Sequence, residues 1–168
     1  MKLSHLMRLL DPVQAPAPGG DPEITGIHYR AQEVTPGSLF VAVPGFVADG
    51  HAFIPEAVTR GAAAIVAQRP VAAEVPVVQV ADSRRALSRA AAAFWGHPSE
   101  GLVLVGVTGT NGKTTVTYLL EAILARVGAR VGVVGTVNYR FEGRVVPAPH
   151  TTPESAELQR ILAEMRDA

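Results

Sequence analysis

A short run of glycines, hydroxyl-bearing residues and one lysine lies between an apolar segment and an amphipathic one. Its members are Gly109, Thr110, Asn111, Gly112, Lys113, Thr114 and Thr115. Glycines let successive backbone N–H groups turn toward an anion, and the positive end of a following helix adds to that attraction. Lys113 can then lie across the β- and γ-phosphates of a nucleotide, Thr114 can offer its hydroxyl to Mg²⁺, and Thr115 can add a hydroxyl bond. The run is typical of a nucleotide phosphate loop.

The loop is tighter than the common pattern G-x-x-x-x-G-K-[ST]. The first glycine of that pattern would fall at position 107, which is Val107, so we expect Gly109 to supply the turn. An ordinary glycine-rich turn would leave Lys113 unexplained, since the chain has only one other lysine, Lys2. A phosphate loop is therefore the better interpretation.

The elements around the loop predict one strand–helix–strand crossover. Residues 102–107 form a short apolar run, residues 113–126 an amphipathic helix that ends before Gly128, and residues 131–135 a second strand. Residues 138–149 show no regular pattern, and Thr151-Thr152-Pro153-Glu154 predicts the start of a last helix with proline in its first position. Two strands and two helices cannot bury both faces of an open sheet, so we expect this unit to be part of a larger domain.

The preceding residues predict a separate small α/β unit. Residues 11–22 hold four prolines and two adjacent glycines, which indicates a surface loop. The predicted strands are residues 24–29, 38–43, 62–67 and 75–80, of which the last two are apolar enough to be parallel strands covered on both faces. The predicted helices are residues 1–10, 51–60 and 83–95. We place the domain boundary at residues 97–100, which gives units 1–98 and 99–168.

Composition excludes several classes of function. Fifteen acidic residues balance fifteen basic ones without a long run of either sign, which argues against nucleic acid as a partner. The chain has no cysteine, which excludes disulfides and thiolate metal sites, and its five histidines are too scattered to predict a metal cluster. The apolar segments are too short to cross a membrane. We expect a cytoplasmic monomer that binds metal only together with a nucleotide.

Several stretches resemble the Mur ligases, the cytoplasmic enzymes that build the peptidoglycan stem peptide. Residues 104–115 are similar to the ATP loop of that family. Residues 36–45, with Ala48-Asp49-Gly50-His51 and the following Phe53-Ile54, are similar to its N-terminal UDP-binding domain. Gly135-Thr136 and residues 151–154 resemble the MurE type, a UDP-N-acetylmuramoyl-tripeptide synthetase. The resemblance covers nearly the whole chain and identifies it as an N-terminal part of such an enzyme.

The resemblance implies an ATP-dependent amide ligase. Such an enzyme activates UDP-N-acetylmuramoyl-L-alanyl-D-glutamate as an acyl phosphate, which the amine of a diamino acid then displaces. The implied ATP and Mg²⁺ site includes Lys113 as the catalytic residue and Thr114 as a metal ligand. Thr151 and Thr152 match positions that contact the UDP-sugar. The family's Asp-Ser-Arg near the uridine is replaced by His28-Tyr29-Arg30, so Arg30 is retained and Tyr29 can stack on uracil or clash with it.

The residues leave other functions open. A MurF-type ligase shares the N-terminal pattern, another P-loop phosphotransferase or NTPase would share only the loop, and a non-catalytic module would bind a UDP-sugar alone. The family's further acidic Mg²⁺ ligands and its amino-acid-binding domain match nothing in these 168 residues. We therefore expect this polypeptide alone not to be a competent ligase.

Overall fold

A computed structural model shows two compact units, Met1–His97 and Pro98–Ala168. It describes residues 1–14, 20–45, 48–148 and 152–168. Both units combine helices with a sheet, so the predicted α/β class is confirmed. Among the described residues, no helix is long and apolar enough to cross a membrane.

The N-terminal unit is built on a five-stranded sheet. Its strands are β1 Pro12–Gln14, β2 Gly26–His28, β3 Ser38–Val41, β4 Ala64–Ala67 and β5 Val77–Val80, in the spatial order β1-β5-β4-β3-β2. Strands β2 to β5 are parallel neighbours, which confirms the prediction for the two apolar runs. Its helices are α1 Leu3–Leu10, α2 Ile54–Thr59 and α3 Ser83–Phe94.

Both faces of this sheet are covered. Phe40 and Ile65 belong to a buried cluster on the face that packs with Ile54 and Ala57 of α2. Helices α1 and α3 pack on each other, and α3 also packs on β2, β3 and β4. Because β3 and β4 are buried along their whole length, these strands need apolar side chains on both sides.

Two predictions for this unit need correction. The predicted loop at residues 11–22 contains the strand β1, which pairs antiparallel with β5. Pro12 is tolerated there because β1 lies at the edge of the sheet. The predicted helix at residues 51–60 starts as a 3₁₀ turn, Gly50–Phe53, and becomes α-helical only from Ile54.

The C-terminal unit combines two helices with a small antiparallel sheet. The helices are α4 Lys113–Arg126 and α5 Ser155–Asp167, and a 3₁₀ turn at Pro98–Gly101 packs against α5. The strands are β6 Val133–Val134, β7 Asn138–Phe141 and β8 Arg144–Pro147, in that spatial order. Helix α4 has the predicted bounds, and the glycine after it, Gly128, has the positive φ of a helix C-cap at +82°.

The predicted crossover around α4 is wrong in its strands. Residues 102–107 pair with no strand in the described parts of the chain, and the side chain of Val103 is 95% exposed. Strand β6, predicted to lie parallel to that segment, pairs antiparallel with β7. A strand exists only through hydrogen bonds to a neighbour, so an apolar run is not enough to make one. These residues instead line an apolar groove of about 980 Å³, together with Leu124 and Leu162.

The hairpin of β7 and β8 was not predicted. Glu142 and Gly143, which connect the two strands, both have positive φ, at 48° and 72°. Two such residues make the kind of turn that matches the twist of a hairpin. Most of residues 138–149, which show no regular sequence pattern, therefore form an antiparallel β-hairpin.

Candidate functional site

The phosphate loop ends where α4 begins. Gly112 precedes the helix in the left-handed region, with φ 78° and ψ −5°, and Gly109 has φ 149°. Both values favour glycine, which agrees with the expectation that Gly109 supplies the turn and shows that Gly112 needs the same freedom. The first backbone N–H groups of any helix lack an intrahelical partner, and in the described structure no side-chain cap satisfies those of α4. Such groups can bind an anion.

Lys113 folds over the loop that precedes it. Its Nζ atom donates to the carbonyl oxygen of Gly109 at 2.6 Å and lies 3.4 Å from that of Thr110. The side chain is exposed, as are those of Asn111, Thr114 and Thr115. The structure therefore brings the seven predicted loop residues together with a cation above the turn and hydroxyls at the start of the helix.

Tyr29 and Arg30 lie at the carboxyl end of β2, in the N-terminal unit. The Arg30 guanidinium carbon lies 5.1 Å from the centre of the Tyr29 ring, and its Nη1 atom is 3.1 Å from Glu33 Oε1. Beside them, burial lowers the pKa of His28, while the Glu33 carboxylate acts in the opposite direction. Both predicted residues thus lie at the edge where parallel sheets commonly bind ligands.

Thr152 is exposed shortly before α5, whereas Thr151 lies outside the described residues. The predicted start of this helix was wrong. Glu154, not Thr152, is the N-cap: its side chain accepts from Ser155 N at 2.9 Å, and the Glu157 carboxylate accepts from Glu154 N at 3.2 Å. This reciprocal capping box satisfies backbone N–H groups at the helix start.

An arginine cluster attached to α4 was missed in the sequence. The Arg140 guanidinium on β7 lies 3.9 Å from the centre of the Tyr118 ring, and its Nη2 atom is 2.6 Å from Glu121 Oε2. Its Nη1 atom donates to Asn138 Oδ1 at 2.5 Å. The hydrogen bonds to Glu121 raise the pKa of Arg140, so the ion pair stays charged. No local pattern signals a contact between residues 19 positions apart.

A second polar cluster surrounds His51. In the sequence, this residue stands out only within the motif Ala48-Asp49-Gly50-His51. The buried His51 contacts Asp49 and the backbone of Gln68 at the carboxyl edge of the N-terminal sheet. The spacing Asp-x-His was its only sequence signal. Within the described ranges, no three histidine, cysteine or acidic side chains come close enough to hold a metal ion.

Taken together, these features define an α/β protein with a nucleotide-type phosphate loop at the start of a helix. Two family models match the chain: "Mur ligase family, catalytic domain" over residues 23–95 and "Mur ligase middle domain" over residues 107–168. The chain belongs to the Mur ligase family.

Curated relatives agree with this assignment. A UDP-N-acetylmuramoyl-L-alanyl-D-glutamate–2,6-diaminopimelate ligase from Geobacillus thermodenitrificans is 51% identical over 89% of this chain and 30% of its own length. The ligase of the same name from Geobacter metallireducens is 47% identical over 99% of this chain and 33% of its own length. The chain thus spans about a third of the length of these relatives.

A solved structure supports the fold. A MurF ligase from Thermotoga maritima, in complex with ADP, superimposes with a TM-score of 0.57 at 31% identity. The match covers 82% of this chain and 28% of that one.

Proposed function

We propose that the chain is the UDP-sugar-binding and phosphate-loop portion of a MurE-type ligase. The complete enzyme joins a diamino acid to UDP-N-acetylmuramoyl-L-alanyl-D-glutamate in a reaction coupled to ATP cleavage, in the cytoplasm. The names of the relatives that are 47% and 51% identical support this substrate and reaction. The similar MurF structure in complex with ADP supports an adenine nucleotide as ligand.

The observation that carries the proposal is the position of Lys113 over a glycine turn at the start of α4. With its Nζ atom 2.6 Å from Gly109 O, the ammonium lies over the loop, and the uncapped backbone N–H groups of the first turn of α4 follow directly. A nucleotide phosphate placed there would accept hydrogen bonds from those groups and from Lys113. Lys113 would then neutralise charge that develops on the γ-phosphate during transfer to a carboxylate, which makes it the catalytic residue.

Mg²⁺ would share this site. Thr114 is exposed next to Lys113 and can supply one hydroxyl oxygen, a ligand type that Mg²⁺ accepts alongside phosphate oxygens and water. When bound, the ion supplies further positive charge at the phosphates. Asn111, Thr110 and Thr115 would contact the phosphates from either side of Lys113.

In the N-terminal unit, Tyr29 and Arg30 would bind the UDP-sugar. Arg30 supplies a cation and Tyr29 an aromatic face at the carboxyl end of β2, and these suit a diphosphate and a uracil ring respectively. In the C-terminal unit, Thr151 and Thr152 remain proposed UDP-sugar contacts on the strength of the family resemblance. Because Arg30 is already paired with Glu33, a substrate phosphate would have to compete with that carboxylate.

The test is substrate-dependent phosphate release by a chain completed with the remaining length of the Geobacillus relative. ATP should release phosphate only when both UDP-N-acetylmuramoyl-L-alanyl-D-glutamate and a diamino acid are present. Release with ATP alone would instead support a P-loop NTPase. Binding of the UDP-sugar without any ATP binding would support a non-catalytic module.

A MurF-type ligase is the second candidate, because a MurF structure is 31% identical to this chain. The two types differ in the peptide that their UDP-sugar carries. In the same assay, a MurE type should use the UDP-muramoyl dipeptide and a MurF type the UDP-muramoyl tripeptide. A preference for the tripeptide together with D-alanyl-D-alanine would overturn the MurE assignment.

A further inference from the structure

A buried histidine connects the ends of two neighbouring strands in the N-terminal unit. The side chain of His51 is only 3% exposed. Its Nδ1 atom lies 2.6 Å from Asp49 Oδ1, and its Nε2 atom lies 3.1 Å from the backbone nitrogen of Gln68, which follows β4. Each ring nitrogen of His51 therefore makes one hydrogen bond, Nδ1 with Asp49 and Nε2 with Gln68.

These two contacts define the protonation of the ring. Because the Gln68 N–H donates to Nε2, that nitrogen must carry a lone pair, and the single proton of a neutral imidazole lies on Nδ1. Nδ1 then donates to Asp49, whose Oδ1 atom also accepts from the His51 backbone N–H at 3.0 Å. These hydrogen bonds, together with Arg69 at 2.9 Å from Asp49 Oδ2, lower the pKa of Asp49. One neutral tautomer satisfies the whole cluster.

The cluster also fixes the chain that leaves β3. Pro44 and Asp49 form an antiparallel bridge, Gly45 N donates to Ala48 O at 3.0 Å, and Gly50 N donates to Val43 O at 3.1 Å. A Cβ atom on Gly50 would lie 2.6 Å from Val43 O, so the returning chain lies directly on the end of the strand. His51 follows this close contact and holds it against β4.

The cluster lies at the carboxyl edge of the N-terminal sheet. Strands β2, β3 and β4 are parallel neighbours, so their carboxyl ends meet at one edge. Tyr29 and Arg30 follow β2, the Asp49 bridge follows β3, and Gln68 follows β4. Ligands of α/β sheets commonly bind outside the carboxyl ends of the strands.

We propose that His51 is a positioning residue for the UDP-sugar. In its neutral form, with the proton on Nδ1, it holds Asp49 and the Gln68 backbone at the edge where Tyr29 and Arg30 contact the ligand. This inference rests on the proposed function, because it takes the UDP-sugar as the ligand of that edge.

Two substitutions separate the two contacts. His51→Asn keeps a donor near the position of Nδ1 but has no acceptor for Gln68, whereas His51→Gln keeps an acceptor near the position of Nε2 but loses the bond to Asp49. Ser38→Ala is the matched control. It removes a buried hydroxyl that accepts a hydrogen bond from Thr35 N at 3.2 Å, at the amino end of β3. Affinity for UDP-N-acetylmuramoyl-L-alanyl-D-glutamate is measured by calorimetry at a temperature at which every variant is folded.

Each His51 variant should bind about tenfold more weakly than the wild type, since each leaves one buried hydrogen bond unmade. Ser38→Ala should bind within about twofold of the wild type, by the additivity expected of distant sites. Wild-type affinity in both His51 variants, or an equal loss in Ser38→Ala, would overturn the positioning role while leaving the proposed function intact. No binding by the wild type would overturn the proposed function and this inference with it.

A second measurement does not depend on how the variants fold. Nitrogen NMR of the His51 ring in the wild-type chain, with UDP-sugar bound, should show a neutral imidazole protonated on Nδ1. A ring protonated on Nε2, or on both nitrogens, would contradict the proposal.

Discussion

The side-chain ammonium of Lys113 donates a hydrogen bond to the carbonyl oxygen of Gly109, four residues earlier, at 2.6 Å. This contact closes the turn with the same group that is proposed to bind phosphate. The Lys113 ammonium thus lies over the loop that is proposed to bind phosphate. A phosphate that binds there replaces a carbonyl oxygen as partner, and little reorientation of the side chain is needed.

Replacing Lys113 by alanine should weaken ATP binding by at least about tenfold, because a charge-assisted hydrogen bond to phosphate is lost. Lys2→Ala is the control, since it removes the only other lysine of the chain and lies outside the loop. Fluorescence titration with an ATP analogue measures both. Equal affinity of the two variants would contradict the assignment of the loop.

Replacing Thr114 by valine should reduce the benefit of Mg²⁺ for ATP binding, because the isosteric side chain has no oxygen for the ion. The measurement is the ratio of ATP affinities with Mg²⁺ and with EDTA, which should approach one in the variant. Thr117→Val is the matched control, because the Thr117 hydroxyl donates to Thr114 O at 2.8 Å within the helix. A ratio that falls equally in both variants would count against Thr114 as the ligand.

Replacing Arg140 by methionine should destabilise the C-terminal unit by about 1–3 kcal/mol, since it breaks a largely buried ion pair and its stack on an aromatic ring. The Arg140 side chain is 12% exposed and that of Glu121 is 29% exposed. The half-exposed pair of Arg160 and Glu164 provides the control, and Arg160→Met should cost about 0–1 kcal/mol. Amide hydrogen exchange in β7 and α4 reports the difference, and equal effects would argue against a special role for Arg140.

The N-terminal unit should lose stability as the pH falls below neutral, in part through His28. Burial lowers the pKa of this imidazole in the folded state, so the folded chain binds fewer protons than the unfolded chain. The stability that His28 contributes is therefore present above the unfolded pKa, about 6.5, and is lost as the pH falls through the lower folded value. Thermal unfolding at pH 7.5 and pH 5.5 should show a smaller decrease for His28→Gln than for the wild type. As a control, replacing the exposed His5 by glutamine should leave the decrease in thermal stability between these two pH values unchanged.

Helices α3 and α4 were predictable because their signals are local. Asp82 accepts a hydrogen bond from Arg85 N at 3.0 Å as the N-cap of α3, and Gly96 follows that helix with a positive φ. Gly112 and Gly128, both with positive φ, mark the two ends of α4. Each of these residues acts within a few positions of itself, so the sequence alone is enough to locate the helix ends.

The pairings between distant segments were not predictable in this way. The apolar run at residues 102–107 predicts a strand, but strand pairing depends on a neighbour that the run itself does not encode. The hairpin turn at Glu142-Gly143 lacks the asparagine or aspartate that usually marks such a turn. The contacts of Arg140 with Glu121, and of His51 with Gln68, likewise became visible only in the structure.

Arg140 connects the hairpin of β7 and β8 to α4, the helix that follows the phosphate loop. Tyr118 and Glu121 lie on the helix that starts at Lys113, and both are held by one guanidinium on β7. A nucleotide that shifts the start of this helix would also shift Tyr118 and Glu121. Because Arg140 contacts both residues, β7 and β8 would move with them. The state of the nucleotide would then affect β7 and β8, which lie well after the phosphate loop in the sequence.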